Sequence, residues 1–160
     1  MSVKIITDSG SDILGTERTD ITVMPLKVTF DDEDYLDGVT LSHSQFYEKL
    51  IESDVIPKTS QVSPYEFEAA FRAVAEAGDT AVVVTLSKKL SGTWQSAMIA
   101  ARDFADSVIV VNSESVSVGE YILVLYAARL RDAGMSAAEI AGILEEKKKM
   151  FRGFFHQKNR

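Results

Sequence analysis

Residues 81–86 read AVVVTL, an apolar run with no polar alternation. Such a run is the pattern of a strand covered on both faces, which is how strands of parallel sheets are buried. Residues 108–111 (VIVV) repeat the pattern and end at Asn112-Ser113. Residues 3–6 (VKII) form a short β-branched run that stops at Thr7-Asp8-Ser9-Gly10, a turn signal. Residues 21–30 (ITVMPLKVTF) are extended but broken by Pro25, which predicts a bend or an edge position. The acidic stretch 31–34 reads as a turn, with Tyr35 and Leu36 pairing back as a short hairpin arm.

Helical signals fill the intervals. Ser42 and Gln45 form a capping box ahead of Phe46, Tyr47, Leu50 and Ile51. Ser63, Pro64 and Glu66 mark a second start, Phe67, Ala70, Phe71 and Val74 share its inner face, and Gly78 stops it. Leu90-Ser91-Gly92-Thr93 leads into a helix through Trp94, Ala97, Met98 and Ala101. A long apolar helix spans about 119–133 with Gly134 as its stop, and Ser136 with Glu139 caps a last helix. Strands alternating with helices over short connections predict one α/β domain, a mostly parallel sheet with helices on both faces.

Length and charge narrow the function. The 160 residues suit one domain with a real core. Seventeen basic against 24 acidic residues leave a net charge of −7, which repels phosphate backbones and anionic headgroups. Nucleic acid and stable membrane insertion are therefore not expected as partners. No apolar stretch approaches the ~18 residues of a membrane helix, and Asp8 and Asp12 come too early for a signal peptide. With no cysteine there is no disulfide or thiolate chemistry, in keeping with a cytoplasmic location.

Ligands of an open parallel sheet sit outside the carboxyl ends of its strands. The polar clusters fall there: Thr7-Asp8-Ser9, Ser87, Ser91-Gly92-Thr93 and Asn112-Ser113, with Thr59-Ser60-Gln61 ahead of the Ser63 helix. Hydroxyls beside free helix N-terminal N–H groups suit a carboxylate or a phosphate. Each cluster alone also reads as a cap or a turn closure. Catalysis finds little support. There is no G-x-S-x-G elbow, no G-x-G-x-x-G and no Walker loop. The two histidines, His43 and His156, are not expected to serve Ser9 or Ser91 as a base. The acidic run 31–34 lacks calcium-loop spacing, so no metal and no cofactor is expected.

The segments Thr7-Asp8-Ser9, PLKVTFDDEDYLDG from Pro25, KTSQVSP from Lys58, TLSKKLSGTWQSA from Thr85 and NSESVSVGE from Asn112 occur in this order. Together they resemble the DegV family, over the chain to about residue 155. The resemblance implies a carrier, not an enzyme: a single long-chain fatty acid held between two α/β domains and presented in some bacteria to a fatty-acid kinase. It implies a carboxylate-binding set of Thr59, Ser60, Ser91, Gly92 and Thr93, with Asp8 and Ser9 supporting the same edge. Ser113 and Gly119 match family positions near the pocket. Against the family's two-domain plan, residues 1–149 form the N-terminal domain. Residues 150–160 read as a truncated or aberrant start of the second, with Arg152-Gly153-Phe154-Phe155 as the lead-in to a strand. Two other readings follow from the same residues: a remnant that self-associates as a homo-oligomer through the face a second domain would cover and through Phe151, Phe154 and Phe155, or a domain handling a phosphate or acyl group.

Overall fold

A computed structural model describes the backbone of residues 1–158 and the side chains of residues 1–151. Four parallel strands form the main sheet: β1 (Val3–Asp8), β2 (Ile21–Met24), β6 (Thr80–Thr85) and β7 (Val108–Asn112), in the order β2-β1-β6-β7. Ile5 pairs with Ile21 on one side and Val82 on the other, and Val83 pairs with Val110. The central β6 is the AVVVTL run, and its residues 81–84 are wholly buried. Helices cover both faces, as the unbroken run requires. On one face α4 (Val118–Asp132) and α5 (Ala137–Lys158) pack Leu123, Val124, Ile140 and Leu144 against Ile5, Val82 and Val84. On the other, α2 (Pro64–Glu76) and α3 (Thr93–Ala101) pack Phe67, Phe71 and Ala97 against Ile6 and Val83. Each fully buried Val, Leu or Phe contributes about 1.5–3 kcal/mol.

A second, smaller sheet is antiparallel, with β3 (Lys27–Phe30) between β4 (Glu33–Leu36) and β5 (Lys58–Ser60). Val28 pairs with Tyr35 across the hairpin and with Thr59 on the other side. The helix α1 (His43–Glu52) lies over this sheet and buries none of its residues fully. Val28, Phe30 and Leu41 make the whole local core, flanked by Tyr35 and Phe46.

Three details depart from the sequence pattern. Pro25 is not a bend within one strand; β2 and β3 on either side of it belong to different sheets. Lys58-Thr59-Ser60, placed by the sequence only ahead of the Ser63 helix, is a strand. Helix α5 runs through residue 149 and on to Lys158, so the backbone of 152–155 is helical and not the lead-in to a strand. The side chains of Phe154, Phe155 and His156 lie outside the described residues.

Candidate functional site at the carboxyl rim of the parallel sheet

The strand order reverses between β1 and β6, with β2 outside one and β7 outside the other. At such a switch point the connections leave in opposite directions and open a crevice beyond the strand ends. Asp8 sits at that point. Its Oδ2 accepts the Leu86 N–H at 2.8 Å and its Oδ1 accepts the Gly10 N–H at 2.9 Å, capping the 3-10 turn Ser9–Ser11. Ser9 Oγ accepts the Leu26 N–H at 2.9 Å, joining this turn to the break at Pro25. Both residues are buried, so they brace the rim from beneath.

The exposed lip is built by the β6–α3 connection. Ser91 is half-buried, and its Oγ accepts the Thr93 N–H at 3.2 Å and lies 2.9 Å from Thr93 Oγ1. Thr93 is fully buried, and its Oγ1 accepts the Val62 N–H at 3.2 Å, fastening the β5–α2 connection to the start of α3. The N-cap of α3 is Gly92, which has no side chain to cap the helix. The Gln61 amide lies over position 92, so that a Cβ there would be 2.0 Å from Gln61 Oε1 and would displace it. Gln61 Nε2 donates onward to Ser96 Oγ at 3.2 Å. Thr59 and Ser60, on β5, are exposed. Thr59 also lines a cavity of about 480 Å³ between the small sheet and α1, together with Val28, Phe46, Tyr47, Asp12, Asp37 and His43. Ser113 is fully buried and turned inward, its Oγ donating to the Ser115 carbonyl at 3.1 Å.

The eight residues anticipated for the ligand therefore divide in two. Thr59, Ser60, Ser91 and Gly92 reach the surface of the rim, whereas Asp8, Ser9, Thr93 and Ser113 hold it in shape. Gly119 is buried in the first turn of α4, where a Cβ would strike Ser115 at 2.7 Å. Gln61, in the cluster ahead of α2, emerges as part of the lip through its fit over Gly92. Trp94 is half-buried at the lip, with Lys88 Nζ 5.2 Å from its ring centre. His43 shares a smaller cavity with Ser9, but the Ser9 hydroxyl is engaged by Asp37 and the Leu26 N–H.

One residue of consequence went unnoticed in the sequence. Glu120, in the first turn of α4, is fully buried. Thr7 Oγ1 donates to the Val84 carbonyl at 2.8 Å and lies 2.9 Å from Glu120 Oε2. Burial, and then the nearby Asp8 charge, push the Glu120 carboxyl well above the usual range. Burial pushes Asp8 up to about 6, against the lowering effect of hydrogen bonds to Glu120 and the Leu86 and Gly10 N–H groups. Asp37, over half-buried, is raised by burial as well. Among the described residues no cluster of His, Asp and Glu is arranged to hold a metal ion, and no helix is long and apolar enough to cross a membrane.

Residues 2–159 match the DegV family of uncharacterised proteins. The chain belongs to the DegV family. A DegV domain-containing protein of Deinococcus radiodurans is 40% identical over 147 residues, covering 91% of this chain and 52% of the relative. The solved structure of a DegV family protein from Thermus thermophilus, described by its fatty-acid binding, superposes with a TM-score of 0.83 at 33% identity, over 93% of this chain and 54% of that one. A stearic acid-binding protein from Eubacterium ventriosum gives 0.80 at 29% identity, over 91% and 52%. The chain thus spans about half the length of the DegV relatives it matches.

Proposed function

We propose that this DegV chain is a long-chain fatty-acid-binding carrier domain whose rim holds the ligand's carboxylate. The observation that carries the reading is the start of α3. There the half-exposed Ser91 hydroxyl accepts the Thr93 N–H at the start of a helix whose cap residue, Gly92, brings no side-chain oxygen to the N–H groups that follow. A carboxylate placed there gains hydrogen bonds and the favourable end of the helix dipole. Thr59 and Ser60 extend the donors toward the small sheet, and Gly92 lets the Gln61 amide close over the backbone. The structural relatives described as fatty-acid-binding proteins support this choice of anion.

The two ends of such a ligand have separate roles. Burying about a dozen methylenes at ~0.8 kcal/mol each supplies roughly 10 kcal/mol. Each head-group hydrogen bond nets only ~0.5–1.5 kcal/mol, or up to ~3 when charge-assisted. The tail sets affinity and the hydroxyls set which end is held. In intact relatives such a carrier would present its carboxylate to a fatty-acid kinase for phosphorylation, and the exposed lip is the edge open to that partner.

Titration of a fluorescent fatty acid, in competition with a natural fatty acid or its methyl ester, tests the reading. The wild-type chain should prefer the acid. Ser91→Ala combined with Thr59→Ala should cut that preference by about tenfold, the worth of two hydrogen bonds, with the circular dichroism spectrum unchanged. An undiminished preference would remove these residues from the site.

A further inference from the structure

Two carboxyl groups, Asp8 and Glu120, lie fully buried at the switch point. Neither has an ion-pair partner among the described residues. Counting protons around Thr7 then assigns a protonation state. A threonine hydroxyl has one proton to give. The Val84 carbonyl, 2.8 Å away, can only accept it. Glu120 Oε2 lies 2.9 Å from the same oxygen and competes for that one proton, while the hydrogen bond between Glu120 and Asp8 exists only when one of the two carboxyls is protonated. An ionised Glu120 would instead leave a buried carboxylate whose Oε1 meets no donor, beside a second carboxylate. Like charges so close in a dry interior do not both ionise.

The surroundings agree. From β1 the faces toward Glu120 are Thr7 and Asp8. From the turn after β1 comes Asp12, itself held by Ser117 Oγ at 2.5 Å. Strand β6 offers the Val84 carbonyl to Thr7 and the Leu86 N–H to Asp8. On α5, the Lys148 ammonium is engaged by Glu145 at 2.7 Å, the Asn112 carbonyl at 3.2 Å and Glu114 at 3.9 Å. Glu120 therefore has acids for charged neighbours.

We propose that Glu120 carries a proton at neutral pH and acts as the positioning residue of the rim, pinning α4 to β1 through Thr7 and leaving Asp8 as the charged member of the buried pair. Asp8 then accepts the Leu86 and Gly10 N–H groups, which set the course of the loop to Ser91, as well as the hydrogen bond from Glu120. Gly10 is required beside them, because a Cβ would lie 2.9 Å from Asp8 Oδ1 and 3.2 Å from Glu120 Oε1. Removing the proton places two negative charges under the lip and loosens it. The effect on ligand rests on the fatty-acid reading; the protonation does not.

Carbon-13 NMR of the side-chain carboxyls, on the full chain with labelled glutamate, reads the proton directly. One resonance should still report a protonated acid at about pH 7, when ordinary glutamates have ionised near pH 4–5. Glu120→Gln, which keeps a donor for Thr7, should delete that resonance. The same variant should flatten the fall in Tm of the wild type between about pH 5 and 9, a fall of at least ~3 °C. Should Glu120→Gln not fold, Asp8→Asn makes the assignment, because losing the Asp8 charge should bring the late titration down. Glutamates that all titrate together, or a late resonance that survives both substitutions, would overturn the proposal. So would equal pH slopes for the wild type and Glu120→Gln. Fluorescent fatty-acid affinity should fall severalfold over the same range in the wild type only. No binding at any pH, with the late resonance present, would sink the fatty-acid reading and leave the protonated Glu120 standing.

Discussion

The two sheets solve the same problem with unequal means. The parallel sheet is covered on both faces by four helices, and its two clusters bury residues from every strand and all four helices. The antiparallel sheet has one light cover, α1, and three buried side chains, Val28, Phe30 and Leu41. Apolar groups stay on its surface: Tyr47 is 63% exposed, Ile51 84% and Ile56 83%. The rim joins the two, since Ser91 stands on the heavily packed unit and Thr59 on the lightly packed one. Local opening follows the density of buried contacts, so the proposed ligand edge should have one firm jaw and one yielding jaw.

Paired truncations test that contrast most severely. Phe67→Ala empties a fully buried site in the parallel half and should cost about 3–5 kcal/mol. Phe46→Ala, at a half-buried ring over the small sheet, should cost about 1 kcal/mol. Urea denaturation of both variants measures the difference; equal losses would mean that the small sheet is as firmly built as the large one. Native-state hydrogen exchange sharpens the same point. Amides of β6 should exchange only through global unfolding, and those of β4 at least about tenfold faster. Uniform protection would abolish the distinction between jaws.

The smallest effect concerns the outer edge of the parallel sheet. Arg18 and Arg131 each approach Asp20 at 2.8 Å, fastening the start of β2 to the end of α4. Hydrogen bonds from Arg18, then Arg131, hold the Asp20 carboxyl well below the usual carboxylate range. A lowered pKa contributes stability above the ordinary value of about 4, lost as pH falls through the lowered one. The site is open to water, so Asp20→Asn should cost only ~0.5 kcal/mol at neutral pH. The gap in Tm between wild type and variant should close in strong acid; a gap constant with pH would assign it to something other than charge.

What the sequence showed in advance follows how local each determinant is. The reciprocal bonds of Ser42 with Gln45 and of Ser136 with Glu139 formed as their spacing required. Gly78 and Gly134 end their helices at φ of 74° and 88°, where a Cβ is costly. The central strand announced its own burial. Strand β5 did not, because Lys58-Thr59-Ser60 has no apolar member and exists only by pairing with the distant β3. Pro25 marked a break, but the change of sheet depends on Ser9 capturing the Leu26 N–H across the fold. At the site, the neighbours Ser91, Gly92 and Thr93 were legible as a unit. That Thr93 turns inward to Val62 was not, since the contact spans two connections. Glu120 passed for an ordinary acidic residue in a helix's first turn; its one available signal was its place among VGEYILVL, otherwise almost wholly apolar.

The fit of Gln61 over Gly92 makes one residue out of two. The amide of Gln61 occupies the volume that a side chain at 92 would claim, with its Cδ 2.7 Å from that vacant Cβ. Substitutions at the two positions are thus linked: a side chain grown on 92 displaces the Gln61 amide, and one shortened on 61 makes room for it. Alanine at 92 by itself would displace the Gln61 amide from Ser96, while the bond from the Val62 N–H to Thr93 still fastens the β5–α2 connection to α3. Exchanging small for large at both positions together would preserve the volume while moving the amide from one jaw to the other. Whoever redesigns this edge should vary the two as a single letter of the alphabet.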